Sequence, residues 1–256
     1  FDGMSAVFHA VSPVPQAACR FCRGFGRPCT YAAPEDRRGI VIAPAGGSER
    51  RGRAGVVRHV VVDDDLARLD LGGGLGIPYR QDNDPPPLPE AYGEIVRRHC
   101  GQLGMKVLVE PGRLIVGNAG ILVTSVVYVK GGEHKNFVIV DAAMNDLIRP
   151  TLYDAYHHID PVVEADFNAP RITADIVGPV CETGDYLALD RDMPLPEPGD
   201  LLSVATAGAY GAVQARTYNT RLLVPEVLVN GDRFHVIRPR RTYEELIGLD
   251  SVPDWL

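Results

Sequence analysis

Residues 69–79 read Leu-Asp-Leu-Gly-Gly-Gly-Leu-Gly-Ile-Pro-Tyr, and no other stretch restricts the fold as much. An apolar strand carrying Leu69 and Leu71 runs directly into Gly72, Gly73 and Gly74, with Gly76 two residues on. Glycine has no Cβ and tolerates positive φ, so such a turn brings backbone N–H groups close to an anion. A plain turn has the same pattern, and the loop alone does not separate the two. A second apolar strand, 107–109, ends in Glu110-Pro111-Gly112-Arg113. A glycine loop and a charged turn at two strand ends point to one phosphate-bearing ligand held between them.

The segment before the loop differs in character. Across residues 1–58, Arg20, Arg23, Arg27, Arg37, Arg38, Arg50, Arg51, Arg53 and Arg58 face only Asp2, Glu35, Asp36 and Glu49. Pro13, Pro15, Pro28, Pro34 and Pro44 interrupt any helical or strand period. Cys19, Cys22 and Cys29 offer a C-x2-C, the opening of a zinc site. No matching second pair follows at ribbon spacing, and His9 lies on the wrong side for a finger. The segment reads as irregular chain with no metal, an RNA-binding tail being a more distant reading. The full 256 residues carry a formal charge of −7, which argues against a general nucleic-acid binder. No run of eighteen apolar residues is present, so no membrane span is expected. The first residues lack the basic start and apolar core of a signal peptide, and five irregularly spaced cysteines make no disulfide framework. A reducing cytoplasm is the expected setting.

Regular structure becomes legible from Val56. The β-branched run 56–62 predicts a strand, and 69–71 predicts the next. Pro85-Pro86-Pro87 stiffens the connector into a helix expected over 89–103, where Tyr92, Ile95, Val96, His99 and Leu103 recur at helical spacing. Gly104 is placed to end it. Strand 107–109 completes a βαβ unit, in which ligands sit beyond the carboxyl ends of the strands. After Arg113 the pattern changes, with strands expected at 121–129, 137–140, 175–179, 201–205, 222–224 and 227–229. Asn230-Gly231 ahead of Phe234 signals a hairpin, because both central residues of a type I′ turn take positive φ. One helix is expected over 146–159, with Arg149 and Tyr153 four apart and projecting together. Thr242 and Glu245 form a capping box for a closing helix. The chain thus divides into an irregular segment (1–58), the residual part of an α/β barrel (59–120) and an antiparallel β-sheet or barrel domain (121–256).

Three further runs stand in family order with the glycine loop and the Glu-Pro-Gly-Arg turn. They are Asp-Ala-Ala-Met-Asn-Asp-Leu-Ile-Arg-Pro-Thr-Leu-Tyr (141–153), Gly-Pro-Val-Cys-Glu-Thr-Gly-Asp (178–185) and Gly-Ala-Tyr-Gly (208–211). The chain resembles the C-terminal half of the diaminopimelate decarboxylases, pyridoxal-phosphate enzymes of the alanine racemase/ornithine decarboxylase fold. Residues 1–58 resemble no part of it. The resemblance implies an incomplete barrel that binds pyridoxal 5'-phosphate, a β domain, and loss of carbon dioxide from meso-2,6-diaminopimelate to give L-lysine. It implies that the loop Gly72, Gly73 and Gly74 and the turn Glu110, Pro111, Gly112 and Arg113 bind the cofactor phosphate through backbone N–H groups. Glu110 would face the pyridine nitrogen and keep it protonated. By the same resemblance, Arg113, Arg149 and Tyr153 bind the distal carboxylate of the substrate, and Glu182 binds its distal ammonium group. Tyr210 touches both cofactor phosphate and substrate. Cys181 returns the proton after carbon dioxide leaves. Cys181 and Glu182 come from the neighbouring subunit, so a homodimer with shared sites is implied. Taken without the resemblance, Cys181 reads as a small core residue, Arg149 and Tyr153 as a solvated helix face, and Tyr210 as a packed aromatic.

The departure from the family concerns lysine. The three lysines are Lys106, Lys130 and Lys135, and none stands in the family motif for the residue that carries the cofactor. Lys106 starts the strand that ends at Glu110 and, at about 3.3 Å per residue, lies roughly 13 Å from it. Lys130 and Lys135 flank the Gly131-Gly132 turn. Two readings compete: a diaminopimelate decarboxylase that is inactive as this chain alone, and a non-catalytic dimerising or ligand-binding module. A related ornithine or arginine decarboxylase is a third. The glycine loop, Glu110 and Arg113 are expected to line one cleft that Tyr210 reaches.

Overall fold

Within the segment read as irregular, Ala6–Ala10 form a strand, β1. Its run Ala-Val-Phe-His-Ala lacks the strict apolar–polar alternation that marks a half-buried strand. The computed structural model describes residues 6–10, 68–80, 86 and 88–255; the strand expected at 56–62 and Cys19, Cys22 and Cys29 lie outside them. The described residues fall into two compact units, one of residues 68–77, 86 and 88–115 and one of residues 6–10, 78–80 and 116–255.

The first unit holds a parallel strand pair. β2 (Arg68–Asp70) lies beside β3 (Lys106–Leu108) with Leu69 opposite Val107, and α1 (Pro89–Cys100) falls between them in sequence. Pro89 sits in the first turn of α1, where its missing N–H costs nothing. The Gly101 N–H donates to the Arg97 carbonyl and the helix ends at Cys100, three residues before its expected end. Gly104, expected to stop the helix, takes φ +65° in the turn ahead of β3. Leu69, Leu75, Ile77 and Tyr92 are buried there. A one-turn helix, α2 (Arg113–Val116), follows the Glu110–Arg113 turn.

The second unit is one mixed sheet of nine strands, nearly closed into a barrel. Besides β1 it contains β4 (Gly120–Lys130), β5 (Asn136–Val140), β6 (Ile159–Pro161), β7 (Arg171–Val177) and β8 (Tyr186–Pro194). β9 (Leu201–Val204), β10 (Glu226–Asn230) and β11 (Arg233–Arg238) complete it. The strands run in the order β11-β10-β1-β4-β5-β7-β8, and β9 pairs with both β4 and β6. Most ladders are antiparallel as expected, but β1 runs parallel to β10 and β5 parallel to β7. Leu122, Val126, Val138, Val140, Leu147, Ile176, Leu187, Met193, Leu202 and Val204 form the core. Burying one such side chain stabilises the fold by about 1.5–3 kcal/mol. Among the described residues, no helix is long and apolar enough to cross a membrane.

Three local expectations are corrected. The helix expected over 146–159 shrinks to α3 (Arg149–Tyr153). Before it, Asp146 Oδ2 accepts the Ala143 N–H at 2.9 Å, a local bond that competes with helix. After it, Asp154 takes the left-handed conformation at φ 52°, and the chain extends into β6. Residues 222–224 join no ladder although Val224 is buried; Pro225 follows and has no N–H to give. The β10–β11 hairpin pairs Asn230 with Arg233, so its loop is Gly231-Asp232, one residue beyond the expected pair. Of these two only Gly231, at φ +62°, is left-handed, which is the type II′ pattern. The capping box forms as expected: Glu245 N–H donates to Thr242 Oγ1 at 3.2 Å, ahead of α4 (Tyr243–Ile247).

Candidate active site

Arg149 opens α3 and is buried, with 8% of its surface exposed. Its Nη1 lies 2.9 Å from His157 Nε2, and His157 Nδ1 lies 2.9 Å from the Ala205 carbonyl oxygen. A guanidinium only donates, so Nε2 accepts and the imidazole proton sits on Nδ1, donated to Ala205. His157 is fully buried, and burial pushes its pKa down to about 4, with the charges of Arg149 and Arg191 adding to the effect against the Ala205 bond. The histidine is therefore neutral. Arg149 has no carboxylate partner among the described residues. A buried cation without an anion is costly, so its place in the fold calls for a negatively charged partner.

Aromatic rings surround this guanidinium. Arg149 Cζ is 4.8 Å from the Tyr79 ring centroid and 6.0 Å from that of Tyr210. Tyr79 meets His157 edge-on, with centroids 5.5 Å apart and planes at 82°. The neighbours of that pair stack as well: Arg80 and Arg191 place their Cζ atoms 4.1 and 4.2 Å from the Tyr156 centroid. Residues 79–80 are thus fastened to 156–157 by successive side chains. Tyr210 follows a turn that only glycine permits, since a Cβ on Gly208 would run into the Val116 carbonyl and lie 2.8 Å from Gly120 N.

A second group of expected residues lies on the loop 178–185. Asp185 shapes it, accepting the Met144 N–H on Oδ1 and the Val180 N–H on Oδ2, each at 2.6 Å. Burial raises the Asp185 pKa against these two bonds. A Cβ on Gly178 would strike both Asp185 oxygens, and the Thr151 hydroxyl donates to the Gly184 carbonyl. The loop is therefore tied to α3 and to residues 141–148. Its Cys181 is a free, exposed thiol. Glu182 is exposed too, with the Tyr218 hydroxyl 3.5 Å from its Oε2.

The glycine loop forms a backbone cradle against the Glu110 turn. Glu110 N–H donates to the Gly72 carbonyl at 2.8 Å, and Gly72 N–H donates to Asp70 Oδ1 at 2.8 Å. A Cβ on Gly73 would enter the Glu110 carbonyl, and Gly72 and Gly74 take φ +67° and +91°. With the N–H groups of Gly72 and Glu110 engaged, those of Gly73, Gly74, Gly112 and Arg113 have no partner among the described residues. A cradle closed to Cβ atoms and lined with free N–H groups fits a phosphate. Pro111 is half-buried, Glu110 is exposed, and Arg113 keeps a buried Nε without a partner.

The structure thus brings Tyr210 to Arg149 and the glycine loop to the Glu110 turn. Tyr153, at the last position of α3, is 63% exposed, whereas Arg149 at its first is buried. Sequence reasoning gave no role to Tyr79 or His157. Tyr79 closes the run 69–79, but nothing in its spacing announces a contact with residues some 70 positions later. The lysines have other surroundings: Lys106 begins β3 and is exposed, and Lys130 is exposed at the end of β4. Lys135 Nζ lies 2.8 Å from Asp175 and 3.3 Å from Asp190, and the Asp175 bond raises its pKa.

Comparison with known proteins gives the same direction. The family model described as pyridoxal-dependent decarboxylase, C-terminal sheet domain, matches residues 8–208. A diaminopimelate decarboxylase of Neisseria meningitidis serogroup A is 56% identical over 180 residues, covering 70% of this chain and 43% of the relative. The crystal structure of diaminopimelate decarboxylase from M. jannaschii in complex with L-lysine aligns with a TM-score of 0.68 at 36% identity, covering 75% of this chain and 44% of that one. The Helicobacter pylori enzyme complexed with L-lysine aligns with a TM-score of 0.66 at 38% identity, covering 72% and 45%. The chain spans less than half the length of the relatives it matches.

Proposed function

Because the chain belongs to the pyridoxal-dependent decarboxylases by their C-terminal sheet domain, we propose that it carries the substrate-carboxylate side of a diaminopimelate decarboxylase site. The reaction is the conversion of meso-2,6-diaminopimelate to L-lysine and carbon dioxide. The observation that carries this reading is the buried Arg149, held by a neutral histidine and lacking any acidic partner among the described residues. A distal substrate carboxylate supplies the missing charge, and a guanidinium grips it through two N–H groups. Arg113 and Tyr153 join that grip, and Glu182 meets the distal ammonium group.

The free N–H groups of Gly73, Gly74, Gly112 and Arg113 hold the phosphate of pyridoxal 5'-phosphate, and Glu110 faces its ring nitrogen. When bound, that cofactor supplies the sink for the electron pair released with carbon dioxide. Tyr210 contacts phosphate and substrate from the sheet domain, and the Cys181 thiol supplies the returning proton. Cys181 and Glu182 serve a second copy of the chain, so the working form is a homodimer with shared sites. The free thiols of Cys100 and Cys181 suit a reducing cytoplasm.

Binding and turnover separate in this reading. Covalent pyridoxal chemistry needs a lysine amine that gives up its proton. Lys135, paired with Asp175 and Asp190, holds its proton more tightly than usual, which favours the reading of a ligand-binding module when this chain is alone. Titration calorimetry with meso-diaminopimelate tests the binding half. Wild-type chain is expected to bind, and Arg149→Gln to bind at least about tenfold more weakly, the loss of one charge-assisted contact. Equal affinity in the two proteins would remove Arg149 from the site.

A further inference from the structure

One polar atom beside Arg149 has no use in the site as described. The Tyr79 hydroxyl is buried and has no hydrogen-bond partner among the described residues. The ring that carries it is held firmly, edge-on by His157 at 5.5 Å between centroids and by Arg149, whose Cζ is 4.8 Å from the ring centroid. Neither contact satisfies the hydroxyl. Native proteins rarely leave a buried hydroxyl unpaired, and an exception asks for an explanation. Beside it stands a buried guanidinium whose single hydrogen bond goes to an uncharged imidazole. An orphaned donor and an uncompensated cation at one place are both answered by one anion with two acceptor oxygens. A carboxylate is such a group: one oxygen takes N–H bonds from the guanidinium while the other accepts the phenol O–H.

We infer that Tyr79 is a substrate-binding residue, its phenol donating to the carboxylate that Arg149 grips, with His157 the positioning residue that aims the guanidinium. The inference rests on the reading of Arg149 given above. It adds a specificity element, because a ligand lacking that carboxylate leaves the phenol unpaired. The diamine 1,5-diaminopentane is such a ligand, whereas L-lysine keeps the distal carboxylate, the one lost in the reaction being at the reacting carbon. The contact therefore favours amino acids that carry a distal carboxylate over simple diamines. Packing alone would have no such preference, since phenylalanine fills the same space.

The test compares the full chain with Tyr79→Phe in titrations with meso-diaminopimelate, 1,5-diaminopentane and inorganic phosphate, and compares melting temperatures without ligand. Tyr79→Phe is expected to weaken diaminopimelate binding about five- to tenfold, the loss of one hydrogen bond to a charged group. Diaminopentane and phosphate binding should change less than about twofold, and the melting temperature should not fall. Unchanged diaminopimelate affinity overturns the inference and leaves Arg149 in its role. An equal loss for phosphate or for diaminopentane overturns the carboxylate assignment. A lower melting temperature overturns it by revealing a protein partner for the hydroxyl. If wild-type chain binds no diaminopimelate, or Arg149→Gln binds it as well as wild type, the parent reading falls and takes the inference with it.

Discussion

Two buried groups of the sheet domain titrate in opposite senses over the same pH range. Burial pushes the Asp146 carboxyl up to about 6 against the Ala143 N–H bond and the nearby Arg221, so the folded state binds its proton more tightly than the unfolded chain. Its contribution to stability is fully present below about pH 4 and is lost as pH rises through about 6. His157, pushed down to about 4, contributes above about pH 6.5 and loses that contribution as pH falls through about 4. Each shift corresponds to roughly 3 kcal/mol, so the two largely offset in the wild-type chain. Denaturant titrations between pH 4 and 7 should therefore show a shallow dependence. Asp146→Asn should steepen it so that stability rises with pH, and His157→Gln should reverse it so that stability falls; an unaltered slope in either variant would refute its assignment. Asp185 invites the same neutralisation, but its geometry forbids it. Two N–H groups share its two oxygens at 2.6 Å each, and asparagine offers only one acceptor. Asp185→Asn should cost about 1–3 kcal/mol by leaving a buried donor opposed to a donor, whereas Asp146→Asn keeps its one backbone bond. Urea melts of the two variants at pH 7 would separate them, and equal stability would contradict the hydrogen-bond account.

Among the elements, what could be read in advance was what local pattern governs. The β-branched runs behind β4 and β5, the proline start of α1 and the capping box of α4 all appear where expected. β8 was passed over because Asp190, Arg191 and Asp192 interrupt its apolar run, and those charges find partners only across the sheet. Asp192 pairs with Arg171 at 2.7 Å, and Asp190 with Lys135 at 3.3 Å. The helix expected over 146–159 failed for a similar reason: Asp154 and the buried His157 are set by tertiary contacts that helical spacing cannot report. Glycines give a sharper test of which elements depend on close approach. Gly208 has no room for a Cβ between Val116 and Gly120, so Gly208→Ala should cost on the order of 3 kcal/mol and displace Tyr210. Gly131 meets only Asn136 Oδ1, at 3.8 Å, and its alanine variant should lie within about 0.5 kcal/mol of wild type. A small effect at Gly208 would mean that the turn before Tyr210 relaxes freely.

At the scale of the whole molecule, the motifs announced the candidate site better than any periodicity did, because they record chemistry at fixed positions. They left out Tyr79 and His157, whose relation to Arg149 exists only after the chain from 78–80 to 157 is folded. They also raised a conflict that structure sharpens. On the function proposed above, the chain binds cofactor and substrate, yet decarboxylation needs a lysine with an available amine. Lys106 stands at the start of β3, at the opposite end from the Glu110 turn, and Lys130 is exposed where β4 ends. Lys135 is the one lysine held by carboxylates among the described residues, and those carboxylates keep it protonated. The chain spans less than half the length of the relatives it matches. The expected outcome is that this chain, purified and mixed with pyridoxal phosphate and meso-diaminopimelate, releases no carbon dioxide above the rate of cofactor alone. Borohydride should trap cofactor sparsely and on all three lysines rather than on one. Peptide mapping after reduction, run beside the gas-release assay, decides the matter: stoichiometric trapping at a single lysine together with turnover would show that one of these three had taken over the role.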